Sequence, residues 1–308
     1  MNGTSKQVLV GRNVGEARGD DIVTEGAEEL DSGDHPTLLE GVVNLYNGVT
    51  ITESALPTDP IEFGRRLQAS LEIWKKQGRR GIWLNIPIQL CALVPIAVKC
   101  GFVYHSAKPD ALRLTTWLAD GPCLMPDGPH HTIGAGGLVF SPEREEVLVV
   151  SERYAEKPRQ WKLPGGYVQA GEPLGDAVCR EVFEETSVKA TFKGLLFFRH
   201  THPMLFDNAD MYFVGLLEPQ TFELSAEEAE ISECRWMKLE EYASHPNVNA
   251  FNRNVATSFL EAYRNNAVQL FAPETLDISS PTETWARSKT FYSFYRSSLL
   301  KEEERSKE

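Results

Sequence analysis

The chain is expected to be an α/β protein built as two domains, and three observations lead there. Apolar residues alternate at strand spacing and recur at helix spacing, in turn, from about residue 38 to 263. A turn-rich stretch, GPCLMPDGP at 121–129, divides that pattern in two. The 308 residues, 42% of them hydrophobic, suffice for two ordinary cores. The expected layout is a disordered acidic tail (1–37), a first domain (38–120), a linker (121–129), a second domain (130–267) and a flexible tail (268–308).

Charge and cysteine usage narrow the function classes. A net charge of −13 leaves no large basic field, which argues against a general DNA or RNA binder. Five cysteines without a C-x-x-C pair fit a reducing compartment better than a disulfide framework or a zinc site. The longest apolar run, Ile86 to Val98, contains Gln89 and Pro95 and is too short to span a bilayer. A soluble intracellular protein is expected, cytoplasmic, with nuclear or mitochondrial placement left open and no membrane partner.

In the first domain, GVVNLYNGVTIT (41–52) reads as a hairpin around Asn47-Gly48. Asp59-Pro60-Ile61-Glu62 has the form of a helix cap, with proline in the first turn and glutamate three residues after the cap. Phe63, Leu67, Leu71 and Trp74 continue that helix, and Gly78 ends it. Residues 81–86 form a buried strand. Gln89 to Lys99 is a second helix interrupted at Pro95, and strands at 101–105 and 111–118 flank a turn at Lys108-Pro109-Asp110.

In the second domain, strands are expected at 130–140 and 146–151, joined by a turn at Pro142, then at 193–202, 210–217 and 231–237. Phe251, Val255, Phe259, Leu260 and Tyr263 mark a closing helix. The tail beyond 268 carries Trp285, Phe291, Tyr292, Phe294 and Tyr295, which could dock on the body.

The stretch with chemical content runs from Gly166 to Val188, GYVQAGEPLGDAVCREVFEETSV. Pro173 suits a helix first turn, and Leu174, Ala177, Val178 and Val182 follow at spacings of three and four. On that helix Glu181 and Glu185 fall on the side of Leu174 and Val178, with Glu184 on the flank. Three acids in the last turns oppose the helix dipole and repel one another. Arg180 can pair with Glu184 at i+4 but leaves two acids unanswered. A divalent cation would answer them, and a cluster of hard oxygen donors suits Mg²⁺ or Mn²⁺.

Written as spacing, the stretch is G-x5-E-x7-R-E-U-x-E-E-x-x-U (U aliphatic), and it resembles the Nudix box of the Nudix hydrolase family. Eight of nine specified positions match over 23 residues; Ser187 stands where the family has glycine. The resemblance implies an α/β/α sandwich on a mixed sheet and hydrolysis of a nucleoside diphosphate linked to another moiety. It implies Glu181, Glu184 and Glu185 as metal ligands, with the Gly166 carbonyl as an extra oxygen. Glu172 would brace the loop, and Arg180 would hold a box carboxylate. The catalytic set is then Glu181, Glu184 and Arg180. The general base is either a box glutamate or one of Glu227, Glu228 and Glu230 in the acidic run at 225–230.

Residues 39–120, through WKKQGRRGIWLNIPIQL and AVKCGFVYHSAKPDALRLTTWL, resemble the pre-Nudix domain, itself similar to part of an acetyltransferase-type α/β fold. The loop that grips acetyl-CoA pyrophosphate is not present, which leaves a packing or homodimer-forming module, or a second grip on substrate. The pair of domains resembles the subgroup of the plant ADP-ribose/NADH pyrophosphatases and the animal protein encoded antisense to basic fibroblast growth factor. That implies a small-molecule nucleotide, ADP-ribose or NADH; the coenzyme A signature of some members is not visible. Nucleic acid enters only as RNA carrying an m7G or NAD cap. A non-catalytic nucleotide- or partner-binding regulator is the remaining class, and the intact carboxylates argue against it. Trp161, Tyr167, Phe197, Phe198, Tyr212 and Phe213 are candidates to stack on adenine, most of them expected in the core, and His200 and His202 are expected at a pocket rim.

Overall fold

Asp59 begins the first helix as its sequence requires: the side chain accepts the Glu62 N–H at 2.8 Å, and α1 runs Pro60–Lys76. Its inward stripe is Phe63, Leu67, Ser70 and Trp74. This is a computed structural model that describes residues 37–154, 160–202, 207–276 and 292–299, so the acidic stretch 1–36 lies outside the described residues. The chain separates into two units between Pro126 and Asp127.

The first unit is a five-stranded sheet ordered β1-β2-β3-β5-β4. Its strands are β1 (Gly41–Val43), β2 (Val49–Ile51), β3 (Gly81–Pro87), β4 (Val103–Lys108) and β5 (Ala111–Trp117). β1 and β2 pair antiparallel about the Asn44–Gly48 loop, with Asn47 at φ +59°, and β2 lies parallel to β3. Phe63 and Leu67 of α1 pack on Ile82, Leu84, Leu93 and Leu114. The helix expected over 89–99 is instead a 3-10 segment, Ile88–Leu93, followed by α2 (Val94–Lys99). The break falls at Leu90, and Pro95 sits in the first turn of α2, where its missing N–H leaves no bond unmade.

The second unit is one mixed sheet. Its main path is β12 (Ile231–Lys238), β7 (Glu146–Glu152), β6 (His131–Ser141), β11 (Ala209–Pro219), β10 (Ala190–Thr201), β13 (Gln269–Leu276), β14 (Tyr292–Leu299). Two short strands join it, β8 (Trp161–Lys162) on β7 and β9 (Gly165–Tyr167) on β6. β6 and β11 are parallel, and the other pairings are antiparallel. Alternation sends successive residues to opposite faces. Ala135, Val139, Leu148 and Leu217 meet α3 (Leu174–Thr186), while Leu138, Phe140, Val147 and Leu216 meet α4 (Leu239–Ser244) and α5 (Ala250–Arg264). The layers are therefore helix, sheet, helix. Gly137 permits the close approach of α3, since a Cβ there would stand 2.6 Å from Val182.

The stretch beyond 268, expected as a tail, carries β13 and β14. Val268 and Leu270 are buried and draw the chain onto β10 through the Leu195–Phe271 pairing. Tyr292, Phe294 and Tyr295 lie within β14, while Trp285 and Phe291 lie outside the described residues.

Candidate active site

The acidic run is placed by α3 and by the turn that precedes it. Pro173 takes the cap position in extended conformation, one residue ahead of the expected first turn. The inward face is Ala177, Val178, Val182, Glu185 and Thr186, so a carboxylate occupies a position that periodicity assigns to the core. The helix ends at Ser187, whose φ is +62° and whose N–H donates to the Phe183 carbonyl at 2.8 Å. This left-handed residue is the one that departs from the family's glycine, and serine pays in backbone strain for that conformation.

Arg180 gathers three carboxylates. Its Nε and Nη2 donate to the two oxygens of Glu172 at 2.7 and 2.9 Å. Nη1 donates to Glu181 at 2.7 Å and to Glu184 at 2.9 Å, and Nη2 reaches the Tyr167 carbonyl at 3.1 Å. The guanidinium holds the Glu172 carboxyl below its ordinary range, and these acids hold Arg180 firmly charged. Glu172 also accepts the Gln169 N–H at 2.9 Å, which ties the turn at 169–172 to the helix.

Glu185 stands apart from that group. It is only 6% exposed, accepts the Gly165 N–H at 2.9 Å, and lies 3.6 Å from the Lys162 ammonium. Burial raises its carboxyl to about 7; Lys162 and the Gly165 N–H offset this only partly, while Glu181 and Glu152 push further up. Burial also works against the charge of Lys162, but Glu185 and Glu152, the latter 2.5 Å away, outweigh it and leave the ammonium above its ordinary value. Glu181 closes the arrangement against strand β9. A Cβ on Gly166 would stand 2.5 Å from a Glu181 oxygen, so this carboxylate position requires glycine there.

The carboxylates Glu181, Glu184 and Glu185 offer hard oxygens on one helix end, Glu184 being 56% exposed in its side chain. Among the described residues no three histidine, cysteine or acidic side chains surround a common point in coordinating geometry. Arg180 and Lys162 hold these acids instead. The donor chemistry nevertheless fits a divalent cation: a buried carboxyl raised to about 7 beside two further acids is where added positive charge gains most.

The other expected residues divide. Backbone bonds from Ser225 N–H to Thr186 O (3.0 Å) and from Glu227 N–H to Glu185 O (3.2 Å) bring the acidic loop to the end of α3. The Glu227 carboxylate accepts the Glu230 N–H at 2.9 Å. Trp161 is 4% exposed and belongs to the core under Arg235, so it cannot stack on a ligand. Phe197 packs on the same core. Phe198 is exposed beside Phe213, and Tyr167 is 53% exposed next to the box. Tyr212 lies under Arg199, which also pairs with the buried Asp210 at 3.2 Å. Burial and the nearby Glu185 hold the Tyr212 phenol well above its ordinary value. His200 and His202 join His131 in a line of imidazoles, with nitrogen separations of 2.9 and 3.2 Å.

Lys162 is the site residue that sequence reasoning missed. Its one signal is alternation: Trp161 and Leu163 point into the core, which turns Lys162 the other way.

A Nudix hydrolase domain model matches residues 39–118, and a NUDIX domain model matches 130–259. The chain is 38% identical over 253 residues to Nudix hydrolase 2 of Arabidopsis thaliana, covering 81% of this chain and 90% of that protein. It is 40% identical over 212 residues to Nudix hydrolase 7 of the same plant (68% and 75% covered). It is 35% identical over 232 residues to the nucleoside diphosphate-linked moiety X motif 6 of Homo sapiens (73% and 73%). Among solved structures, a MutT NUDIX hydrolase from Burkholderia pseudomallei aligns at 23% identity over 41% of this chain and 96% of its own, with a TM-score of 0.36.

Proposed function

We propose, from the premise that this chain belongs to the Nudix hydrolase family and is a hydrolase of nucleoside diphosphate derivatives, that its substrate is ADP-ribose or NADH. Cleavage falls on the pyrophosphate bond and yields AMP with ribose 5-phosphate or reduced nicotinamide mononucleotide. The observation that carries the pyrophosphate cleavage is that Glu181 and Glu185 both meet the glycine pair of β9, Glu185 buried on the Gly165 N–H and Glu181 against Gly166.

Glu181, Glu184 and Glu185, with the Gly166 carbonyl, would hold the cation, Mg²⁺ or Mn²⁺. That cation supplies neutralisation of the phosphates and a more acidic attacking water. Glu185 must be ionised for this work, so its proton competes with the cation. Arg180 is a positioning residue: it grips Glu172 with two nitrogens and fixes the directions of Glu181 and Glu184 with a third. Lys162 supports Glu185 from the sheet side. The five thiols, all free, suit a reducing compartment such as the cytoplasm.

The test is hydrolysis of ADP-ribose, NADH and NAD-capped RNA with Mg²⁺ or Mn²⁺, comparing the wild type with Glu185→Gln. Turnover of ADP-ribose or NADH, reduced about 100-fold in the variant, is expected. Turnover of capped RNA alone would overturn the substrate, and equal rates in the two proteins would overturn the role of the box.

A further inference from the structure

The first unit holds a cleft of about 390 Å³, of the size that takes a mononucleotide. Trp83, Trp117 and Met125 supply apolar wall, Tyr46 stands exposed at the rim, and Asn44 and Arg80 supply polar groups. The lining contains no carboxylate, although acids outnumber bases in this chain, 44 to 31.

Three donors in that lining lack acceptors. The Arg80 guanidinium lies over the Trp117 ring at 5.0 Å and has no carboxylate or hydrogen-bond partner among the described residues. The Asn44 carbonyl oxygen accepts the Tyr46 and Gly48 N–H groups at 3.0 and 2.9 Å, which leaves its NH2 as the uncommitted end. The Trp117 indole N–H is shut from solvent without a partner among the described residues. A half-buried cation and an uncommitted amide NH2 beside aromatic faces are complementary to a flat ring that carries a negative group. Neither a cation nor a plain aliphatic chain would use them.

We infer that this cleft binds a planar aromatic anion of mononucleotide size, its ring against Trp83 and Trp117 and its anionic group on Arg80. The inference uses only residues of the first unit and does not depend on the hydrolase reading.

The experiment is fluorine NMR on the full chain labelled with 5-fluorotryptophan, in EDTA, titrated separately with AMP, adenosine and inorganic phosphate. Trp83→Phe and Trp117→Phe assign the two reporter signals. AMP should shift both saturably, with adenosine and phosphate each at least about tenfold weaker. Arg80→Gln should weaken AMP by at least about tenfold while the signal of Trp74, buried on the inner face of α1, keeps its position as a check on folding. The inference is overturned if AMP up to about 10 mM leaves the Trp83 and Trp117 signals in place, whatever the other tryptophans do. Adenosine binding as tightly as AMP, or Arg80→Gln titrating like the wild type, overturns it equally.

Discussion

Replacing Glu185 by glutamine removes a titration as well as a ligand, and the two effects separate by pH. The folded-state carboxyl sits at about 7, against an ordinary value of 4.5. An acid raised in the folded state favours folding only while protonated. Its cost is therefore absent below pH 4.5, grows as pH rises, and levels off above about 7. At roughly 1.4 kcal/mol per tenfold change, the full cost is about 3 kcal/mol. The replacing amide keeps an oxygen for the Gly165 N–H and cannot ionise, and Lys162 retains Glu152. In urea unfolding of the cation-free protein, Glu185→Gln should gain on the wild type by up to about 3 kcal/mol between pH 5 and pH 8. Groups common to both proteins cancel, among them His131, which burial and three neighbouring imidazoles hold below its ordinary value. Mg²⁺ at 100 times its dissociation constant should restore about 2.7 kcal/mol to the wild type at pH 8, and less to the variant. A difference that does not change with pH, or one that grows in favour of the wild type, would refute the picture of a strained carboxylate awaiting a cation.

Three further outcomes are expected. Gly166→Ala places a Cβ 2.5 Å from a Glu181 oxygen, so steady-state kinetics should show kcat reduced about 100-fold with circular dichroism unchanged. Ser187→Gly relieves a left-handed serine at the cost of a weak 3.4 Å bond to Ser225 O, and should raise the second unit's stability by about 1 kcal/mol in a urea melt. Tyr242→Phe removes a fully buried hydroxyl that has no partner among the described residues, and should leave the unfolding free energy in urea equal or higher by up to about 1 kcal/mol.

What can be read from sequence follows the range of each interaction. The Asp59-Pro60-Ile61-Glu62 cap and the stripe of α1 are legible because all their partners lie within a few residues. The same holds for Arg180 with Glu184. β8 and β9 are not legible: two- and three-residue strands carry no periodicity and exist only because β7 and β6 receive them. Lys162 escapes for the same reason, since Glu185 lies 23 positions along the chain and on a different element. β13 is hidden by Pro273 and Glu274, which interrupt the alternation set up by Val268 and Leu270. The second helix of the first unit differs from expectation because Pro95 opens a helix rather than interrupting one, and proline alone does not say which.

The parallel pairing of β6 with β11 sets the order in which this enzyme can assemble. Thr132 and Asp210, joined across that pair at 2.9 Å, are 78 residues apart, and the whole of α3 lies in the intervening loop. The Arg180 ring closes over eight residues and can form with its helix, whereas the central pairing waits until residue 219 is available. A chain still being synthesised thus has β6 and β7 on hand for Val178 and Val182 but lacks Leu217 and the strand that joins β6 to β10, so the cover over α3 is incomplete. Ribosome-bound chains stopped so that residue 205 has just emerged should be cut readily by protease within α3, and chains that have released residue 225 should resist.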